Sequence, residues 1–262
     1  MTRSSVLELL GDIAQSASID ETWQVACRHF ASMGFARANY GFTRFRHLKT
    51  IGDPDDALFL STMNQEYARR YFESGLFSRS PVFRWAERNS GIRTWKWVHD
   101  AFAAGKLPPE EAEIVRQNNA LGIKAGITVS FPEASTRAKG ALGLIADTNL
   151  DHADVERIFT ERCDEITAIA HMMHLRIVQL PQLSKARTLS PRQREALEWV
   201  ADGKTTQDVA LLMGVSPAMV EKHLRLARDA LAVETTAQAV AKGALLNMIF
   251  QQFPEPLAQA AS

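Results

Sequence analysis

Between Ser190 and Pro217 the chain repeats one form of punctuation, and this leaves little freedom in what that stretch can fold into. Ser190 precedes Pro191, Thr205 or Thr206 opens the next apolar run, and Ser216 precedes Pro217. A hydroxyl at a helix N-cap accepts from a first-turn N–H, and proline is well placed at the first helical position because no carbonyl awaits its missing N–H. Gln193, three residues after Ser190, completes a capping box. Gly203 and Gly214 stop the first two runs. Leu197, Val200 and Ala201 supply an apolar face to the first helix, and Val209 to Met213 form the second. A third helix is expected from Ser216 to about Leu231 and a fourth from Thr236 to Ile249. Two short helices joined by a tight, glycine-bearing turn make a helix-turn-helix.

The pattern also separates an inner from an outer face. Val209, Ala210 and Val215 hold the helix pair together, while Val220 and Leu224 anchor the third helix. Its outer face then presents Ser216, Ala218, Met219, Lys222, His223, Arg225 and Arg228. Such a helix fits a DNA major groove, with base edges read by residues near its start: Ala218, Met219, Lys222 and Arg225. Lys204, Thr205 and Thr206 lie at a helix N-terminus suited to a phosphate. Double-stranded DNA is the partner this implies.

The first 180 residues mix two periodicities. Trp23, Ala26, Cys27, Phe30 and Ala31 form one helical stripe between Asp20 and Met33, with Asp20 as its cap. Ala38 to Arg46, Gly122 to Phe131 and Gly140 to Ala146 read as strands, the last two forming a hairpin; Leu58 to Leu60 is a short apolar segment. Residues 64–75 read as helical, and Ser80-Pro81 starts another helix. A long helix from Asp151 to Leu180 carries Phe159, Cys163, Ile166, Ala170, Met173 and Ile177 on one stripe. That stripe packs on its own domain or shares in a dimer contact. The fold expected is α+β: an N-terminal α/β/α sandwich with a mostly antiparallel sheet, and a C-terminal all-α four-helix domain. Pro181 ends the long helix, so the boundaries run 1–180, a linker 181–187, a domain 188–252 and a tail 253–262.

Other classes are disfavoured. The chain has 262 residues, 46% hydrophobic and 23% charged, and no apolar run long enough to span a membrane. Its N-terminus lacks an export-signal core, so a cytoplasmic location is expected. Cys27 and Cys163 are too few for a disulfide scaffold, and His171 and His174 lack the companions a metal site needs. No phosphate loop, dinucleotide fingerprint or nucleophile elbow is present, so we expect neither an enzyme nor a resident cofactor. Formal net charge is zero. Residues 187–250 hold eight Lys/Arg against seven Asp/Glu. Weak non-specific DNA binding and a need for dimerisation follow.

The stretch from Leu189 to Leu231 resembles the DNA-binding domain of the LuxR family of bacterial transcription regulators. Leu189, Arg192, Leu197, Gly203, Lys204, Thr205, Ala210, Ser216, Val220, His223 and Leu231 carry that resemblance in register. It implies a homodimer on an inverted-repeat site near a promoter, with RNA polymerase as a further partner. Gln193 and Leu226 depart from the family's usual glutamate and asparagine, and Glu221 replaces a commonly basic residue. An acidic side chain there repels the phosphate backbone.

An aromatic cluster of Tyr67, Tyr71, Phe72, Phe77, Phe83, Trp85, Trp95 and Trp97 either fills a core or lines an apolar pocket. The run from Tyr67 through Ser80-Pro81-Val82, Ile92 to Trp95 and Gly122 to Thr128 is similar to the autoinducer-binding domain of quorum-sensing LuxR members. That similarity implies a pocket for an N-acyl homoserine lactone lined by Tyr67, Tyr71, Ser80, Phe83, Trp85, Trp95 and Thr128. Tyr71 and Trp95 match residues that bond the acyl and lactone carbonyls, and Gly126 matches a shape-determining glycine. Tyr67 replaces a usual tryptophan and Ser80 a usual aspartate, the acceptor for the ligand amide. Serine still accepts, but without charge assistance of about 1.5–3 kcal/mol. An acyl homoserine lactone, another small-molecule effector, or no ligand and a purely dimerising domain all remain open.

Overall fold

The computed structural model describes residues 3–47, 51–64, 67, 75–182 and 188–251. The chain divides into two compact units, residues 1–178 and 179–262. The expected helix over 64–75, with Tyr71 and Phe72, lies outside the described residues apart from Asn64, Tyr67 and Gly75; so do 183–187 and the tail.

Unit 1 begins with α1 (Arg3–Gln15) and α2 (Ile19–Ser32). The cap of α2 is Ser18 rather than Asp20: its Oγ accepts from the Glu21 N–H at 3.1 Å, and Glu21 Oε2 accepts from the Ala17 N–H. Asp20 lies inside the first turn, where its charge favours the helix N-terminus and its carboxylate accepts from Gln24. The expected stripe is present, with Trp23, Ala26 and Phe30 buried.

Five strands follow among the described residues: β1 (Arg37–Thr43), β2 (Leu58–Ser61), β3 (Gly91–Thr94), β4 (Gly126–Ser130) and β5 (Lys139–Ile145). They pair antiparallel throughout in the order β2-β1-β5-β4-β3. Register separates the two faces. Ala38, Leu144 and Ile127 lie in one row and Tyr40, Leu142 and Val129 in another, all buried. With α2 and Ile166, Ile169 and Met173 of the long α6 (His152–Gln179) they form the main core. The intervening row, Asn39, Gly143 and Thr128, points to the opposite face. There lie α3 (Pro81–Arg88), α4 (Lys96–Ala103) and α5 (Pro109–Ala120). Helices on both faces explain why all of β4 is buried, and complete the helix–sheet–helix sandwich.

The long helix is interrupted at Arg162, whose φ of −132° is non-helical. Strands β2 and β3 go beyond the strands read from sequence, and β1 stops at Thr43 instead of reaching Arg46.

Unit 2 holds α7 (Pro191–Ala201), α8 (Thr206–Met213), α9 (Pro217–Leu231) and α10 (Thr236–Leu245). Ser190, Thr205, Ser216 and Thr235 are the four caps, and Ser190–Gln193 forms its capping box. Gly214 closes α8 at φ 65°, a left-handed position where a Cβ would be strained. Leu197, Val209, Ala210, Val220, Leu224 and Leu231 are buried together with Met248 and Ile249. Two local expectations fail. Ala201 is exposed at the helix end, and α10 stops at Leu245, after which the chain folds back to bury Leu246, Met248 and Ile249. No helix among the described residues is long and apolar enough to cross a membrane.

Candidate ligand cavity and nucleic-acid interface

Unit 1 holds a cavity of about 430 Å3, partly open to solvent, between the outer sheet face and the helices covering it. Its floor follows from two glycines. A Cβ on Gly126 would stand 2.3 Å from the Leu144 carbonyl oxygen and 2.9 Å from the Trp95 ring, and one on Gly143 would stand 3.8 Å from the same indole. The missing side chains let the Trp95 ring lie against β4 and β5. Its Nε1–H donates to Thr128 Oγ1 at 2.8 Å.

Tyr67, Ser80, Phe83, Trp95 and Thr128 all line this cavity. Burial pushes the Tyr67 phenol up to about 12, against the hydrogen bond with the Asn39 side chain. Ser80 caps α3 by position, but its side chain makes no capping bond; it is buried at 2% exposure. Phe77 meets Phe83 edge-on with ring centroids 4.8 Å apart.

One expected placement changes. Trp85 does not line the cavity: α3 turns Val82, Phe83 and Ala86 inward, and Trp85 lies off that face. Trp95 lines the cavity as expected, with its N–H donated to Thr128. Trp97 is elsewhere, beneath the Arg93 guanidinium at 4.6 Å. Tyr71 lies outside the described residues.

Sequence reading missed Asn39, Phe59, His99, Asn118, Ile123, Lys124 and His152, all of which line the cavity. Asn39 had a signal: it is the polar residue alternating with Ala38 and Tyr40 along β1. The histidines had none, since α4 and α6 bring them together from distant parts of the chain.

In unit 2 the caps set the outer face. Ser216, Ala218, Met219, Lys222 and Arg225 are exposed along the first turns of α9, with Lys204 and Thr205 exposed at the start of α8. Thr205 Oγ1 caps Asp208 N–H while its own N–H and hydroxyl both donate to Asp208 Oδ2, lowering that carboxyl below its usual range. His223 is half-buried. Arg225 pairs with Asp229 at 3.0 Å, one turn on. Arg228 departs from the expected outward set: half-buried, it donates to Thr236 Oγ1 at the start of α10. Glu221 also has a structural task, accepting from the Thr206 hydroxyl at 2.9 Å and tying α8 to α9.

A family model of the autoinducer binding domain matches residues 18–177, more than half of the chain, and a model of sigma-70 region 4 matches residues 184–231. The chain belongs to the LuxR family. Among curated LuxR-type proteins, the transcriptional activator protein LuxR of Aliivibrio fischeri is 21% identical over 197 residues, covering 74% of this chain and 76% of LuxR. TraR of Rhizobium radiobacter is 25% identical over 219 residues, covering 81% and 84%, and YukR of Yersinia ruckeri is 29% identical over 209 residues, covering 75% and 89%. Escherichia coli SdiA shares the fold, with a TM-score of 0.52 at 16% identity over 95% of this chain and 99% of SdiA. This LuxR-family chain is a ligand-responsive, DNA-binding transcription regulator with an autoinducer-binding and a helix-turn-helix domain, not an enzyme.

Proposed function

We propose that this regulator acts as a homodimer on an inverted-repeat promoter site, and that the unit 1 cavity holds its effector, an N-acyl homoserine lactone or a related amphiphile. The observation that carries the reading is the cavity itself: apolar, walled by Tyr67, Ser80, Phe83, Trp95 and Thr128, inside the segment matched by the autoinducer binding domain. Dimerisation supplies two copies of α9 for successive major grooves, which a nearly charge-neutral module needs. Lys204, Thr205 and Thr206 then take phosphate, while Ser216, Ala218, Met219, Lys222 and Arg225 face the bases; His223 and Arg228 support the helix. The working boundaries are 1–180 for effector and dimer contacts, 181–187 as linker, 188–252 for DNA and 253–262 as tail. RNA polymerase is the further partner of a regulator placed in this way.

A second reading, a different effector, is favoured by one feature. Ser80 supplies no charged acceptor for an amide. One polar handle of the lactone reading is therefore weakened. A thermal-shift series of acyl homoserine lactones of graded chain length separates the readings: stabilisation by some length supports the lactone, and none by any length removes it. For the DNA face, Lys222→Ala and Arg225→Ala each weaken binding to an operator selected from random DNA, by about 1–3 kcal/mol for a base contact. Unchanged affinity in both variants overturns this placement.

A further inference from the structure

The few ionisable side chains that line this mostly apolar cavity are chiefly basic. Glu87 is its one carboxylate among the described residues, and Arg46 holds it at 3.5 Å. Lys139 begins β5 and Ile145 ends it, and both line the cavity, which therefore runs along that strand. At the first end the Lys139 ammonium is occupied, donating to the backbone carbonyls of Asn89 and Phe131. The far end is different. His99 of α4 and His152, the first residue of α6, face each other with ring centroids 4.3 Å apart. Both line the cavity, and neither imidazole has a hydrogen-bond partner in the protein among the described residues.

The charged neighbours do not resolve this pairing. Asp100 gives its carboxylate to Lys96 at 2.6 Å, and Glu156 accepts from Thr94. Asp151 and Asp100 act on His152 only through space, and Lys96 opposes them. Burial, then the proximity of His99, holds His152 below the ordinary imidazole range. Lys124 lines the same cavity and adds positive charge. His99 is exposed and His152 half-buried, so the pair stands at the solvent-facing rim of the cavity, where with Lys124 it offers an anion bonds that become charge-assisted once a proton is taken up.

Resting on the reading of this cavity as the effector site, we infer that the effector is an amphiphile with a carboxylate head, seated against His99 and His152 with its apolar body over Trp95. No bond is made or broken; one proton is taken up by the imidazole pair on binding. A neutral lactone or ester offers acceptors but no charge to hold that proton.

The test uses the full-length protein and three probes: decanoate, methyl decanoate and N-decanoyl homoserine lactone. Calorimetric titration at about pH 6 should show decanoate binding at least about tenfold tighter than either neutral probe, the margin shrinking by about pH 8 as the proton taken up on binding becomes harder to acquire. The heat for decanoate should depend on the ionisation enthalpy of the buffer, reporting proton uptake. In the His99→Gln/His152→Gln double variant the neutral probes should bind as before and the preference should vanish. Should that variant not fold, NMR titration of the unaltered protein gives the same answer: decanoate raises the His152 pKa and methyl decanoate leaves it in place. Equal or tighter binding of a neutral probe, buffer-independent heat, or a preference intact in the double variant overturns the inference. Binding by the lactone but not decanoate overturns it while leaving the cavity as effector site. Failure of all three overturns both.

Discussion

The indole N–H of Trp95, the residue between β3 and α4, donates to the hydroxyl of Thr128 on β4, at 2.8 Å and in the wall of the cavity. The bond holds the ring plane against Gly126. Thr128→Val keeps the side-chain shape and deletes the acceptor, leaving an indole N–H unpaired in a half-buried wall. The variant should lose about 1–3 kcal/mol of stability in urea denaturation, and Thr128→Ser should recover most of it. Equal stability of the valine variant would show that the bond contributes nothing.

Gly126 and Gly143 both border the Trp95 ring but should respond to alanine very differently. At Gly126 the new Cβ meets a backbone oxygen at 2.3 Å, which no rotamer change relieves; at Gly143 its nearest neighbour is 3.8 Å away, an ordinary contact. Gly126→Ala should therefore cost about 3 kcal/mol or more, while Gly143→Ala stays within about 1 kcal/mol. Thermal unfolding of the two variants checks the contrast. Similar losses in both would contradict the packing described here.

How far these features could be read from the chain depended on whether their cause was local. The caps Ser190, Thr205 and Ser216 act within three residues of themselves, so α7 to α9 were legible almost to the residue. Alternation exposed β1, β4 and β5. It could not expose β3, where Gly91–Thr94 is a short edge strand with polar Arg93 and Thr94. The aromatic cluster was visible as a group. Which members face the cavity was not, because that depends on how α3 docks: Phe83 turns inward and Trp85 does not. His99 and His152 meet only through the packing of α4 and α6, and Ser18 displaced Asp20 as a cap because its hydroxyl reaches Glu21.

Glu165 should make the acid stability of unit 1 depend on the break in α6. Burial raises its carboxyl, but hydrogen bonds from Arg162 and His29, with their charges, outweigh this and hold it below the usual range. A carboxyl depressed in the folded state contributes stability that is complete above its unfolded value, about 4.3 for a free glutamate, and is lost as pH falls through the folded value. Arg162 is also the residue with non-helical backbone, so the ion pair secures the helix at its interruption. Glu165→Gln should lower stability at neutral pH and flatten the fall below pH about 4.3. Urea midpoints measured down the acid range check this; parallel curves for the two proteins would exclude Glu165 as the cause.

Glu221 has two effects that a single substitution separates. Its carboxylate accepts from Thr206 at 2.9 Å and ties the two helices of the helix-turn-helix, yet it places a negative charge on the exposed side of α9. Glutamine keeps an acceptor of the same reach and removes the charge. Glu221→Gln should therefore bind non-specific DNA about threefold more tightly at low salt, with the gain shrinking as salt rises. Its unfolding midpoint should stay within about 0.5 kcal/mol of the unaltered protein. Thr206→Val should do the reverse, loosening the pairing of α8 and α9 at a cost of about 1 kcal/mol while leaving the charge in place. Anisotropy titrations over a salt series, alongside urea unfolding, distinguish the two. If Glu221→Gln left DNA affinity unchanged at low salt, the carboxylate would have to lie beyond reach of the phosphate backbone, and the face of α9 presented to DNA would need to be rotated away from it.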